Sequence, residues 1–247
     1  IVIENDGLDE RCESLAPVGN PLEAPAEELL SRIREAGIVG MGGAGFPAQV
    51  KLTVPREKQV DVLILNGAEC EPYLSGDHHL MIEAPHDIRM GAQIAAHILG
   101  AKAIYIGVEA NKPQGISALR AAAQGAGIEV CPLRTRYPQG GEKQLIYALT
   151  GRRVPSGGLP MDVGCVVLNV STAKAICDAV VKGERVLRRV VTVTGEVAAP
   201  ANLYARIGTP VGELVEACGG ALETADRLIL GGPMMGMAAF DLNTPVA

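Results

Sequence analysis

Apolar runs of strand length and amphipathic stretches of helix length follow one another along this chain. The segment PAEELLSRIREAG reads as a helix, with Pro25 near its start, acids early, arginines late and Gly37 as its stop. VDVLILNGAECEP is an apolar run that ends in a polar loop. It predicts a buried strand whose carboxyl end carries Asn66, Glu69 and Glu71. PHDIRMGAQIAAHILG predicts a helix stopped by Gly100, AKAIYIGVE a strand, KPQGISALRAAAQGAG a helix and IEVCPLR a strand. This βαβαβ rhythm calls for a mostly parallel sheet covered by helices, with right-handed crossovers.

RYPQGGEKQLIYALTG then reads as a loop feeding a helix, and VPSGGLPMDVG as a Gly/Pro-rich loop. CVVLNVSTAKAICDAVVKG is a strand running into another helix. The pattern changes after Gly183. RVVTVTGEVAAPANLYARIG predicts two alternating strands joined by a Pro-Ala-Asn turn. TPVGELVEACGG predicts a short helix with Thr209 as N-cap and Pro210 at its first position, and DRLILGG a further strand. The fold class is therefore α/β, followed by a small α+β unit. Residues 1–24, polar and proline-containing, read as extended.

Composition narrows the picture. At 247 residues, 48% hydrophobic and 20% charged, the chain has room for one large or two modest domains. A net charge of −6 argues against a nucleic-acid or anionic-membrane surface. No apolar run approaches the roughly 18–20 residues that span a bilayer, so no direct membrane insertion is expected. The chain begins with Ile rather than Met and shows no secretory signal, which reads as a processed or trimmed start. Cys12, Cys70, Cys131, Cys165, Cys177 and Cys218 are all more than four residues apart, so no Cys-x-x-Cys metal or cluster pattern exists. His78-His79 follows Asp77 and could bind a metal, although a solvated turn is the plainer reading.

The chemistry concentrates in GIVGMGGAGFPAQVK, whose Gly40, Gly42 and Gly45 fit G-x-G-x-x-G. A dinucleotide fingerprint needs a strand before the glycines and a helix directly after them. Here a helix precedes them and two prolines follow, so the ordinary Rossmann reading fails. Five glycines in nine residues, with Gly43 among them and Lys51 just beyond, instead let backbone N–H groups approach a flat ligand or its phosphates. Three other places bring polar groups to the same kind of edge. Asn66, Glu69 and Glu71 follow a strand, where open α/β sheets bind ligands. Gly140 and Gly141 precede a helix beginning near Glu142. Asn169, Ser171 and Thr172 sit at another strand-to-helix junction. Singly, each admits a plain structural use: a solvated loop acid, a helix cap, or a packed side chain at Tyr137. Together they describe a mononucleotide cleft.

At these segments the chain resembles the flavin- and NADH-binding C subunit of the Rnf electron-transport complex, and more distantly the NADH-binding flavoprotein subunit of respiratory complex I. The stretches that carry the resemblance are GIVGMGGAGFPAQVKL, NGAECEPYLSGDHHLM, YPQGGEKQLIYALTGRRVPSGGLP, DVGCVVLNVSTAKAI, RVVTVTGEV and LILGGPMMGM. The resemblance implies an FMN-binding α/β domain at 26–184 with helices on both faces of its sheet, a soluble-ligand-binding β-grasp domain at 185–240, and at 241–247 the start of a linker. It implies hydride transfer between NADH and FMN, then single electrons passed to 4Fe-4S clusters in a cysteine-rich region beyond Ala247. Carried over by motif, Gly40, Gly42, Gly43 and Gly45 line the flavin and nicotinamide cleft, Lys51 approaches the flavin or its phosphate, and Asn66 faces the flavin. Glu69 and Glu71 bind flavin or NADH ribose, Tyr137, Gly140, Gly141 and Glu142 border the nucleotide, and Asn169 and Thr172 hold the FMN phosphate. No catalytic acid or base and no metal ligand is nominated, because hydride transfer is the cofactor's own chemistry.

Three departures from the complex I pattern bear on the NADH contacts: Met41 where that pattern has Arg, Ala68 where it has Asp, and Gly141-Glu142 where it has an acidic pair. The implied partners are the other Rnf subunits, membrane subunits and an iron–sulfur subunit among them, at the cytoplasmic face of a bacterial inner membrane, with the isolated fragment soluble. Two other readings stay open: a flavoprotein cobalamin reductase of microcompartment type, and a non-catalytic docking module with an empty flavin cleft.

Overall fold

The computed structural model describes residues 6–8, 10 and 12–247, so the extended reading of residues 1–24 lies partly outside the described residues. Ahead of the first helix, the described residues form neither helix nor strand. Two backbone bonds tie them to the far end of the first unit, Leu15 N to Gly183 O at 3.0 Å and Val18 N to Val180 O at 2.8 Å.

Helix α1 (Ala26–Glu35) starts after Pro25, carries Glu27 and Glu28 in its first turn and Arg32 and Arg34 in its last, and buries Leu29 and Ile33. These charges suit the helix dipole at both ends. Gly37 then takes a positive φ of 72° and the glycine loop begins. A short helix α2 (Ala48–Leu52) follows Pro47, where the sequence pattern predicts none. Its single turn is fixed by the burial of Ala48 and Leu52 rather than by helical periodicity.

Strands β1 (Val62–Gly67), β2 (Ala103–Glu109), β3 (Ile128–Leu133) and β4 (Cys165–Asn169) form one parallel sheet in the order β3-β2-β1-β4. Along β1 the side chains alternate between two cores. Leu63 and Leu65 face one, and Val62 and Ile64 face the other. That two-sided burial is why β1 is apolar without interruption. Helices α4 (Pro85–Leu99), α5 (Pro113–Ala123) and α7 (Val170–Cys177) pack with α1 and α2 on the first face. Helix α6 (Glu142–Thr150) packs on the second, through Leu145 and Ile146. Helices thus cover both faces.

Helix α3 (Gly76–Glu83) stands where the sequence pattern gives His78-His79 to a turn. Its apolar positions make no continuous stripe; what sets it is capping by Glu69, described below. His79 Nδ1 meets Ser75 O and Asn202 Nδ2, both at 2.9 Å. Among the described residues no group of His, Cys, Asp or Glu is placed to hold a metal ion. Helices α4 and α7 touch at Gly91, where a Cβ would run straight into the Ala173 carbonyl.

After a single π turn at Asp178–Lys182, the second unit pairs β5 (Arg188–Val193) antiparallel with β6 (Ala201–Arg206). The connection is longer than a Pro-Ala-Asn turn, because Ala201 and Asn202 already belong to β6. Helix α8 (Val211–Ala217) has Pro210 rather than Thr209 at its N-cap. β7 (Leu228–Leu230) pairs with β8 (Met237–Ala239), a strand too short to show as a pattern. Ala205, Val211, Leu214 and Val246 form the small core of this unit.

Candidate functional site

The strand order places a topological switch between β1 and β4. The chain leaves β1 across one face of the sheet and reaches β4 from the other through α6, so the loops beyond these two strands diverge and leave a crevice. Asn66 and Asn169 are register partners at the carboxyl ends of these strands. Asn66 Nδ2 donates to the Gly140 carbonyl (2.9 Å) and its Oδ1 accepts from Ala68 N (3.1 Å). One side chain thus ties the post-β1 loop to the segment that starts α6. The fit there is close: a Cβ on Gly140 would lie 2.5 Å from the Ala68 oxygen, and one on Gly141 2.5 Å from Gln144 Oε1.

The glycine loop lies against the other side of the crevice. Gly40 N bonds Phe46 O at 2.8 Å, and Met41 N donates to Thr172 Oγ1 at 3.0 Å. A Cβ on Gly42 would come 2.6 Å from Asn169 Nδ2, so only glycine lets the loop sit on the start of α7. Gly43 opens onto free space, and Gly45 takes a φ of 66°. Lys51, on α2, closes an ion pair with Glu142, the first residue of α6 (Nζ to Oε1, 2.6 Å).

The three acids of the rim are each engaged within the protein. Glu69 accepts the amides of Asp77 (3.0 Å) and His78 (3.3 Å), capping α3, with Lys112 Nζ at 3.8 Å. Burial first, then the charge of Asp77, raises its pKa. Glu71 accepts the amides of Met234 (3.0 Å) and Met235 (2.9 Å) from the turn between β7 and β8. Asp77 is a site residue that its sequence context does not single out. It accepts from Asn169 Nδ2 (2.6 Å) and Ser171 Oγ (2.5 Å), while Asn169 Oδ1 caps α7 through Ser171 N (2.8 Å). Burial raises the pKa of Asp77 against those two hydrogen bonds. Tyr137 stands half-exposed at the rim, and desolvation, then the charges of Glu71 and Cys70, push its hydroxyl upward.

Eleven of the fourteen candidate positions are thereby held by hydrogen bonds, an ion pair or close approaches; Gly43 and Gly45 belong to the same loop, and Tyr137 stands beside Glu71. A shallow hollow of about 450 Å³ lined by Arg120, Gln124 and Glu129 lies on the opposite edge strand and holds none of them. The site also recruits a residue that local sequence gives no sign of: Arg189 on β5, whose Nη2 donates to the Met41 carbonyl at 2.7 Å.

Residues 33–178 match the family model for the Nuo51 FMN-binding domain, more than half of the chain. The chain belongs to the Nuo51 FMN-binding family. Residues 190–238 match the SLBB domain, which coincides with the second unit. The chain is 50% identical over 247 residues to the C subunit of a proton-translocating ferredoxin:NAD(+) oxidoreductase complex from Clostridium ljungdahlii, covering all of this chain and 54% of that protein. It is 45% identical over 248 residues to the C subunit of a Na(+)-translocating ferredoxin:NAD(+) oxidoreductase complex from Acetobacterium woodii, covering all of this chain and 56% of that protein. The chain thus spans about half the length of the curated relatives it matches. Among solved structures, an NAD+-reducing [NiFe]-hydrogenase in its air-oxidized state superposes with a TM-score of 0.78 at 27% identity, over 90% of this chain and 44% of that one. The Rnf-type resemblance and the α/β architecture both stand on these findings. No described helix is long and apolar enough to cross a membrane.

Proposed function

We propose that this chain is the electron-input part of an ion-translocating ferredoxin:NAD+ oxidoreductase, binding FMN in the switch-point crevice and NADH against it. The observation that carries the reading is the cradle itself: Gly42 set against Asn169, Asn169 in register with Asn66, and open space over Gly43. A Cβ at Gly42 would fill the place where the loop meets α7, and the family match names the cofactor class such cradles take. The donor set suits a phosphorylated flat ring. Glycine amides approach without Cβ interference, α7 presents its N-terminus, and Lys51, paired with Glu142, stands at the outer wall.

When bound, FMN supplies the chemistry by which a hydride pair becomes single electrons. The residues of this chain bind and orient. The glycine loop, pinned by Thr172, would line one side of a bound ring, and Asn66 fixes the separation between the loop after β1 and the Gly140 segment. The start of α7 favours negative charge beside it. No side chain is required to take up a proton. In this reading the onward acceptor is an iron–sulfur cluster held outside residues 1–247. The partners are other subunits of the complex, and the chain sits peripherally at the cytoplasmic face of the membrane.

The test is direct. FMN fluorescence should be quenched on titration with the protein, and NADH should bleach the bound flavin under anaerobic conditions. A folded protein that leaves FMN fluorescence unchanged would leave only a docking module, and the proposal would fall.

A further inference from the structure

Both walls of the crevice are held by the second unit. On the glycine side, Arg189 Nη2 donates to the Met41 carbonyl at 2.7 Å, and its Nη1 donates to the Ala247 carbonyl. The Met41 amide points the other way, to Thr172. The loop is therefore pinned between α7 and β5 by the two polar groups of one residue. On the opposite wall the β7–β8 turn gives Glu71 two amides, and Gly232 leaves no room for a Cβ, which would lie 2.6 Å from Glu71 Oε2. Between these points, Ser75 N donates to Thr192 Oγ1 (3.3 Å), Asn202 Nδ2 donates to Ser75 Oγ (3.1 Å), and Gly76 packs against Val190. The residues that Ser75 and Gly76 meet here all belong to the second unit.

We infer that the second unit is a clamp that sets the width of the crevice, with Arg189 as the positioning residue for the glycine wall. This rests on the crevice being the flavin site and adds a task for the unit beside it. Physically, a part-buried guanidinium on a backbone carbonyl is a charge-assisted bond, worth on the order of tenfold or more in an equilibrium. The Met41 side chain packs against the first core and its amide reaches Thr172, which leaves its carbonyl to be engaged by Arg189. The cation that fixes this loop comes from 148 residues further along the chain.

The experiment combines amide hydrogen exchange on the unliganded protein with FMN titration. Arg189→Ala should speed exchange in residues 38–46 about tenfold while leaving β1 unchanged, and should weaken FMN about tenfold, mostly through faster release. Arg189→Lys should restore part of both effects. Arg188→Ala, which removes a neighbouring cation that stacks on Tyr204, should change neither. Gly232→Ala should weaken FMN from the opposite wall, and the double variant should lose less than the product of the two, because either change frees the same body. Unaltered exchange at 38–46 would overturn the clamp. So would loosening of β1 to the same extent, an equal effect from Arg188→Ala, or losses that simply multiply. If the parent protein does not quench FMN, the flavin reading falls, and the exchange measurement still decides whether Arg189 holds the loop.

Discussion

Asn66 offers a way to test the crevice by exchanging one heavy atom. Its amide nitrogen donates to the Gly140 carbonyl at 2.9 Å, and its amide oxygen accepts from Ala68 N at 3.1 Å. Asn66→Asp keeps the shape and the acceptor but replaces the donor with an oxygen facing a carbonyl oxygen. One hydrogen bond of about 1 kcal/mol is lost, and desolvating the new carboxylate against Gly140 adds about as much, so a loss of about 2 kcal/mol at pH 7 is expected. Protonation removes the deficit, because a neutral carboxylic acid can donate to the Gly140 oxygen as the amide does. The folded state therefore raises the pKa of the introduced group. The variant's deficit should be small below the unfolded carboxylate value and should grow as pH rises through the folded one. Urea unfolding of parent and variant at pH 4 and pH 7 measures this, with FMN titration alongside. A variant as stable as the parent at pH 7, or a deficit that acid leaves unchanged, would show that Asn66 does not brace the two loops.

Gly43→Ala should change the unfolding free energy by no more than about 0.5 kcal/mol in urea, because its Cβ meets nothing within 4 Å, yet weaken FMN measurably; unchanged FMN binding would place the ring elsewhere. Gly91→Ala, whose Cβ would run into the Ala173 carbonyl, should cost about 3 kcal/mol or more by urea denaturation, and a near-neutral result would refute the close α4–α7 packing. Arg152 holds Asp61 through two bonds of 2.6 and 2.7 Å and lowers its pKa. Arg152→Ala should therefore cost about 1 kcal/mol at neutral pH, after allowance for solvent screening, and that cost should shrink as pH falls below 3.8. Glu69 and Asp77 carry raised pKa values, so their contribution to stability is fullest below the ordinary values of 4.5 and 3.8 and is lost as pH rises through the folded ones. Glu69→Gln should flatten the dependence of the urea midpoint on pH over that rise, and an unaltered slope would count against the burial of this pair.

The parallel sheet was legible because β1 and β4 are continuous apolar runs until Asn66 and Asn169, β2 is nearly so, and the edge strand β3 is short and bounded by loops, and because α4 and α5 carry their stops in the chain. The site was legible for a related reason: glycines and polar residues at strand ends are local signals. What could not be seen depends on distance. Helix α3 lacks an apolar stripe and owes its start to Glu69, eight residues before Asp77. A carboxylate that caps a helix and one that holds a ribose are written with the same letter. Met41 departs from the Arg of the complex I pattern, yet the positive charge present at this loop lies on β5, and no local pattern in RVVTVTGEV points back to it.

The acids around the crevice pose an electrostatic question that the hydrogen bonds answer. Glu69, Glu71, Asp77 and Glu142 border a place proposed for a phosphorylated ligand, and left free they would repel it. Each is instead engaged: Glu69 by the amides of α3 with Lys112 nearby, Glu71 by the amides of the β7–β8 turn, Asp77 by Asn169 and Ser171, Glu142 by Lys51. Three of the four take their partners from backbone amides or neutral side chains rather than from a full opposite charge at bonding distance. Their negative charge is spread over donors but not cancelled. An anion bound at the start of α7 would compete with Asp77 for Asn169 and Ser171, as one at Lys51 would compete with Glu142.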